Sequence, residues 1–177
     1  MARTVYYAAA SVDGFIADAR GGVAWLDPFN SSELGYEAFL SSVGAVVLGR
    51  TTYEQTLALG AWPYADRRGL VVTSRELGGL PPGIRAVPPA ELAPSFRDLR
   101  ASTKGDAWVV GGGKTARLCM DAGLIDEIEL YLIPCVLGDG VPLFDRSSTL
   151  VSLRLFDSRA FSNGVVMLRY AVDPGRR

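Results

Sequence analysis

The sequence of 177 residues contains no histidine. This absence excludes catalytic triads that use an imidazole base and zinc sites with histidine ligands. A proton donor or acceptor in any reaction must therefore be a carboxylate, lysine, tyrosine, cysteine or water. The acidic residues also lack the spacing of a loop that binds hard cations, so we expect no metal site.

Cysteine is scarce, and long apolar runs are missing. Cys119 and Cys135 form no CxxC pair and no disulfide framework, which favours the cytoplasm. No apolar run approaches the length that spans a bilayer, and the first residues already have a strand pattern, so we expect neither a membrane partner nor a signal peptide. A net charge of −1 argues against a nucleic-acid surface. The length predicts one domain over residues 1–177.

The pattern that is present alternates strands with helices. Short apolar runs predict strands at 5–10, 45–48, 70–73, 84–87 and 107–110. Helices are predicted at 36–43, from 51 onward, at 95–101 and at 116–122, whereas 15–28 has loop character. The last third contains strands alone, at 127–132, 150–156 and 165–172. This order predicts an α/β fold with a mainly parallel central sheet, flanking helices and an antiparallel C-terminal edge.

Three consecutive glycines, 111–113, end the last strand of the alternating part and precede Lys114 and Thr115 at a helix start. Glycines are costly to order, so three together favour a turn that a ligand approaches closely, and a helix N-terminus there suits a phosphate. A merely tight turn is the alternative. The match to a Walker A loop is incomplete because its first glycine would be Trp108, and a GxGxxG fingerprint is absent because position 116 is Ala116.

Two further strand ends carry arginines and hydroxyls, at 49–52 and 73–75. Because the carboxyl ends of parallel strands meet at one edge of a sheet, these stretches and the glycine turn should line a common ligand site. Arginine and hydroxyl groups there suit a ligand with several phosphates. The alternative is that Arg50 is a solvated residue and that Thr51 and Glu54 only cap a helix.

Four stretches resemble the dihydrofolate reductase superfamily. The nearer resemblance is to the branch of the reductase domain of riboflavin-biosynthesis deaminase-reductases and its stand-alone relatives. The stretches are 9–17 (AASVDGFIA, like S-x-D-G-x-I-A), 47–54 (VLGRTTYE, like M-G-R-x-T-[YW]-E), 109–113 (VVGGG, like V-x-G-G-G) and 134–144 (PCVLGDGVPLF, like P-V-x-L-G-x-G-x-P-L-F). They lie in the family's order and cover nearly the whole chain.

This resemblance implies a dihydrofolate-reductase-like fold and NADPH as the cofactor. It places 49–52 and 111–115 at the phosphates, Ser74 and Arg75 at the adenosine 2′-phosphate, and the loop from Ala10 to Ile16 beside the nicotinamide. The implied cofactor-binding residues are Ala10, Ile16, Gly49, Arg50, Thr51, Thr52, Thr73, Ser74, Arg75, Val110, Gly111, Gly112, Gly113, Lys114 and Thr115.

The substrate end is less defined by the sequence. Folate reductases place a buried acid on the first helix, and Glu33 sits near that position, although it also fits a capping box after Asn30. Glu37, one turn further on, fits either a solvated face or a cleft. Trp25 and Trp62, with Tyr64, could form a wall for a flat ring or simply belong to the core.

The sequence therefore predicts a cytoplasmic NADPH-dependent reductase. It would transfer a hydride to a small heterocyclic substrate, like a pterin or pyrimidine, or to a carbonyl substrate. The alternative is a nucleotide-binding protein of the same fold without catalytic activity. A homodimer is expected because 128–132 and 142–144 carry more apolar surface than an edge sheet usually leaves bare, and because the relatives are often dimers.

Overall fold

The computed structural model describes residues 2–173, which form one large sheet, one small sheet and four α-helices. The strands are β1 (Thr4–Ser11), β2 (Phe15–Asp18), β3 (Val43–Gly49), β4 (Arg68–Val72), β5 (Ile84–Val87), β6 (Asp106–Gly111), β7 (Glu127–Ile133), β8 (Gly140–Pro142), β9 (Leu153–Ala160) and β10 (Val166–Val172). The helices are α1 (Tyr36–Ser42), α2 (Arg50–Ala58), α3 (Leu92–Ala101) and α4 (Gly113–Asp121), with short 3₁₀ turns at Ala24–Phe29, Ser32–Leu34 and Pro89–Glu91.

The large sheet has the strand order β5-β4-β3-β6-β1-β7-β10-β9. Neighbours from β5 to β7 run parallel, whereas β10 pairs antiparallel with both β7 and β9. The predicted α/β fold, mainly parallel with an antiparallel C-terminal edge, is therefore confirmed.

The parallel strands are apolar on both faces because helices cover both faces. On one face, Tyr6 and Val109 pack with the buried side chains of α3 and α4. On the other face, Val5 and Trp108 pack with the buried side chains of α1 and α2. Successive residues of β1 and β6 thus belong to opposite cores, as strand geometry requires.

An ionic clamp fixes β1 between its neighbours at the start of the sheet. The Arg3 guanidinium donates to Asp106 Oδ2 at 2.9 Å and to Glu127 Oε2 at 2.7 Å, and the Arg3 backbone N–H donates to Asp106 Oδ1 at 2.8 Å. Burial acts to raise the pKa of Asp106, but the hydrogen bonds and charge of Arg3 outweigh it and leave that pKa below its usual value. The clamp joins β1 to β6 and β7.

Three local predictions were wrong. The segment 15–28 is not all loop, because β2 pairs with β8 to form the small sheet. The third helix begins at Leu92 rather than Ser95, since Leu92 is needed in the core. The first helix begins at Tyr36 as predicted, but Asn30 is not its cap. Ser31 instead caps the preceding 3₁₀ turn, with its hydroxyl accepting from the Glu33 N–H.

The apolar residues used to predict a dimer lie mostly inside the molecule. Ile128 is buried, and Leu130, Leu143 and Phe144 pack against the same core. The reason is that β7 is an interior strand, paired on both sides. The exposed apolar side chains at this end of the sheet lie instead on β9. None of the helices within 2–173 has the length and apolar character needed to cross a membrane.

Candidate cofactor and substrate cavity

A cavity of about 700 Å³ opens at the carboxyl ends of the central strands β3, β6 and β1. It is walled by the two strand-to-helix turns that lead into α2 and α4, by the middle of β1, and by the small sheet of β2 and β8. Ligands of open parallel sheets bind at this edge because loops and helix N-termini converge there.

The glycine turn forms the centre of the cavity wall. Gly111 has φ +146°, a conformation that side chains rarely adopt, and the Gly111–Gly112 peptide is cis. Gly113 is packed so closely that a Cβ would lie 2.3 Å from the carbonyl oxygen of Pro142. Gly112 differs, because a Cβ there would approach nothing nearer than Ile16 Cδ1 and Thr52 Oγ1, both at 3.8 Å. The first and third glycines are therefore required by the fold, whereas the second lines the cavity and could carry a Cβ at ordinary van der Waals distance from its neighbours.

Helices α2 and α4 both begin at this cavity without a side-chain cap. Their N-cap residues are Gly49 and Gly112, and neither offers an oxygen to the first N–H groups. The predicted capping box at Thr51 is not formed, since Glu54 instead accepts from Arg50 Nε at 2.6 Å. Two positive helix ends thus face one space, which suits an anion.

The small sheet holds Ile16 over the cavity. Ala17 pairs with Val141 across the sheet, and the Leu143 N–H donates to the Gly14 carbonyl at 2.8 Å. The Asp13 carboxylate accepts hydrogen bonds from the backbone N–H groups of Leu137 and Gly138, at 3.1 and 2.7 Å. A hydrogen bond from the Ser11 hydroxyl, together with these two backbone bonds, lowers the pKa of Asp13.

Aromatic side chains occupy the end of the cavity near β1. Tyr7 and Trp108 both line it, and the Trp108 indole N–H donates to the Tyr7 carbonyl at 3.1 Å. The Tyr7 ring stacks on Phe39 with centroids 4.3 Å apart and lies 5.0 Å from the ring of Tyr131. Leu26 adds an apolar contact from the 3₁₀ turn. This end suits a flat ring, whereas the glycine end suits phosphates.

Most residues predicted for the cofactor line this cavity. Those that do are Ile16, Gly49, Arg50, Thr51, Thr52, Val110, Gly111, Gly112, Gly113, Lys114 and Thr115. Ala10 is buried further along β1, next to the lining residue Ala9. Thr73, Ser74 and Arg75 follow β4 beyond the lining residue Val72 and form a turn in which Thr73 Oγ1 accepts the Arg75 N–H at 3.1 Å.

The residues predicted for catalysis and substrate lie elsewhere. Glu33 and Glu37 are exposed and do not line the main cavity, although Glu37 borders a smaller hollow of about 410 Å³ beside Tyr36. Trp25 packs in the core near Tyr131, and Trp62 packs edge-on against Tyr64 with centroids 5.1 Å apart. The catalytic prediction for Glu33 stays a prediction, and its place outside the lining gives it no support.

Sequence reasoning missed the aromatic end. The sequence pattern predicts Tyr7 and Trp108 only as strand residues and assigns no role to Gln55. All three line the cavity. A usable signal was present, because Tyr7 and Trp108 lie on the two adjacent strands that lead into the cavity. Within residues 2–173, no group of three or more cysteine or acidic side chains is placed to hold a metal ion.

This geometry defines a dihydrofolate-reductase-like α/β domain with a ligand cavity at the carboxyl edge of its sheet. The model of the RibD C-terminal domain family matches residues 72–167, and the chain belongs to this family. The uncharacterized protein YwjB of Bacillus subtilis (strain 168) is 33% identical over 165 residues, which cover 92% of this chain and 94% of YwjB.

Solved structures agree with this assignment. The crystal structure of a protein from Shewanella sp. PV-4 that is described as a riboflavin biosynthesis protein matches with a TM-score of 0.83 and 28% identity. The match covers 97% of this chain and 99% of that one. Dihydrofolate reductase from Enterococcus faecalis, complexed with NADP(H), has a TM-score of 0.67 and 14% identity, covering 97% of this chain and 96% of that one. The predicted membership of the superfamily branch is confirmed, and the similarities support a reductase-type function.

The different surroundings of Gly112 and Gly113 give a testable contrast in stability. Gly113→Ala should lower the free energy of unfolding by about 1–3 kcal/mol because its Cβ would collide with the Pro142 carbonyl oxygen. Gly112→Ala should fold with unaltered stability, because φ −88° and ψ −169° suit alanine and its Cβ would meet Ile16 and Thr52 at an ordinary contact distance of 3.8 Å. Urea unfolding of both variants checks this, and equal destabilisation would contradict the geometry.

Proposed function

We propose that this chain is an NADPH-dependent reductase that transfers a hydride to a small heterocyclic substrate, like a pterin or pyrimidine, or to a carbonyl substrate. Residues 1–177 would act as one cytoplasmic reductase domain. The observation that carries the proposal is the cavity itself, with two uncapped helix N-termini at one end and an aromatic wall at the other.

The residues at the glycine end fit a dinucleotide. The turns 49–52 and 111–115 would hold the phosphates with helix N–H groups, and the cavity beside Gly112, which has no side chain, would admit the pyrophosphate. Ile16, held over the cavity by the small sheet, would lie with 8–10 of β1 beside the nicotinamide. When bound, the reduced cofactor would supply the hydride, and the protein would supply orientation and a site closed to water.

The turn 73–75 is proposed to select NADPH over NADH. It follows β4, which is the direct neighbour of β3, so it lies beside the start of α2. Arg75 is exposed there, and the hydrogen bond from its N–H to Thr73 Oγ1 fixes the turn. A guanidinium stays charged at any working pH and pairs with phosphate oxygens, so it would bind the 2′-phosphate that NAD lacks.

One observation favours the alternative of a nucleotide-binding protein without activity. Among the described residues that line the cavity, the only carboxylate is Asp145, which belongs to the glycine end, where its N–H donates to the Gly113 carbonyl. No acid therefore lies at the aromatic end of the lining. Oxidation of NADPH with a panel of pterins, pyrimidinones and quinones separates the two functions, because a non-catalytic protein would bind NADPH and oxidise none.

A homodimer is proposed through the edge strand β9. Every residue of this strand is exposed, including Leu153, Leu155 and Phe156 at 41%, 48% and 42%, and β9 ends the sheet. An exposed edge strand that carries large apolar side chains is a surface that proteins usually cover. Pairing of two copies would bury it.

The cofactor proposal predicts a contrast between NADPH and NADH. Arg75→Ala should weaken NADPH binding roughly 10- to 150-fold, because a hydrogen bond to a charged group is worth about 1.5–3 kcal/mol, and should leave NADH binding nearly unchanged. Calorimetric titration with both cofactors measures this. Arg85→Ala, an exposed arginine on β5, is the control and should change neither affinity. Equal losses for both cofactors in Arg75→Ala would show that the 2′-phosphate is bound elsewhere.

The dimer proposal predicts a change in mass on substitution at β9. Light scattering at micromolar concentration should give a dimer for the wild type and a monomer for Leu155→Glu, because a charge would be buried at the interface. Leu150→Glu, at a residue 78% exposed outside the strand, is the matched control and should remain dimeric. A monomeric wild type would end the proposal.

A further inference from the structure

A chain of three polar side chains runs from the aromatic end of the cavity toward the surface. Tyr7 lines the cavity, and its ring lies 5.0 Å from that of Tyr131 on the neighbouring strand β7. The Tyr131 hydroxyl lies 2.8 Å from Glu129 Oε1, and the Glu129 side chain is 16% exposed. The Tyr7 ring thus contacts the Tyr131 ring, and the Tyr131 hydroxyl in turn reaches the partly exposed Glu129 carboxylate.

The middle member of this chain has two acceptors for one proton. The Tyr131 hydroxyl lies 2.8 Å from the Leu34 carbonyl oxygen and also 2.8 Å from Glu129 Oε1. A phenol carries a single O–H donor, so it can donate to only one of these oxygens at a time. Because one of the two acceptors is Glu129, the Tyr131 hydroxyl is placed to exchange its proton with that carboxylate.

Both phenols remain protonated near neutral pH. Burial raises the pKa of Tyr7 to about 12, and its hydrogen bond with the Tyr131 side chain opposes part of that rise. Burial, reinforced by Tyr7 and Glu129, also raises the pKa of Tyr131. The titratable and charged groups that face this pair are Tyr36 from α1, Glu129 from β7 and, through Glu129, Arg169 from β10, whose Nε lies 3.3 Å from Glu129 Oε2.

We propose that Tyr7 donates the proton that the substrate needs during reduction, and that Tyr131 and Glu129 replenish it. This inference rests on the proposed function. The substrate carbon of a C=N or C=O group would receive a hydride from the reduced nicotinamide, and the electron pair of the double bond would move to the nitrogen or oxygen. That atom takes the proton as the Tyr7 O–H bond breaks. Tyr7 then takes the Tyr131 proton, and Tyr131 takes one that Glu129 has received from water.

This assignment accounts for the cavity's lack of a carboxylate at its aromatic end. A reduction without histidine or a neighbouring acid still needs a proton donor, and a positioned tyrosine is an accepted one. Glu129 is not among the residues that line the cavity, so it acts through the two phenols. Tyr131 and Glu129 are accordingly positioning residues, and Tyr7 is the one that would touch the substrate.

The test combines Tyr7→Phe and Tyr131→Phe with the control Tyr170→Phe. Tyr170 lies on β10 and is not one of the three side chains of the proposed proton path. With a substrate from the panel above, Tyr7→Phe should lower turnover about 100-fold or more and leave NADPH affinity unchanged. A loss of this size is the usual contribution of general acid catalysis. Turnover of this variant should then rise with the concentration of a small acid buffer. Tyr131→Phe should also lower turnover, and Tyr170→Phe should not.

A second measurement needs no turnover. In protein labelled at tyrosine Cζ, the Tyr7 resonance, assigned by its loss in Tyr7→Phe, should shift in Tyr131→Phe and stay in place in Tyr170→Phe. An unmoved Tyr7 resonance, or wild-type turnover in Tyr7→Phe with NADPH bound normally, would overturn the proton path alone. Failure of the wild type to bind NADPH would overturn the proposed function and this inference with it.

Discussion

The close packing at Gly113 is the constraint on which the site depends. Here the start of α4 meets strand β8 so tightly that a Cβ at Gly113 would lie 2.3 Å from the Pro142 carbonyl oxygen. The same kind of contact recurs at Gly49, where a Cβ would lie 2.5 Å from Thr115 Oγ1. Because these two glycines let α2, α4 and β8 approach one another, two helix N-termini and the small sheet that carries Ile16 reach the same cavity.

The cavity is chemically asymmetric for a reason that begins in the strands. Parallel strands that are buried on both faces are mainly apolar, so most polar groups at the carboxyl edge come from the turns. The turns into α2 and α4 supply N–H groups and hydroxyls at one end. At the other end the cavity reaches β1 itself, where Tyr7 is surrounded by aromatic rings. A ligand with phosphates at one end and a flat ring at the other matches this arrangement.

The fold could be predicted from the sequence, because buried parallel strands are continuous apolar runs and the four family stretches lie in register. The glycine end of the site could also be predicted, since its residues are adjacent in sequence. Strands β2 and β8 could not, because they are short and are held by partners more than a hundred residues away. Glu33 fits the family position by sequence distance, yet the 3₁₀ turn that holds it leaves it exposed. The polar chain from Tyr7 to Glu129 depends on the pairing of β1 with β7, which no local pattern reveals.

The central claim is that the cavity beside Gly112 receives the pyrophosphate of NADPH. The most direct measurement is a fluorescence titration of NADPH into the wild type and into Gly112→Ala, with the unfolding free energy of both measured in parallel. The account predicts saturable binding by the wild type and binding roughly 10- to 150-fold weaker in the equally stable variant, since an added Cβ displaces a charged group from its hydrogen bonds. Wild-type affinity in Gly112→Ala would contradict the account, because the turn would then border no ligand.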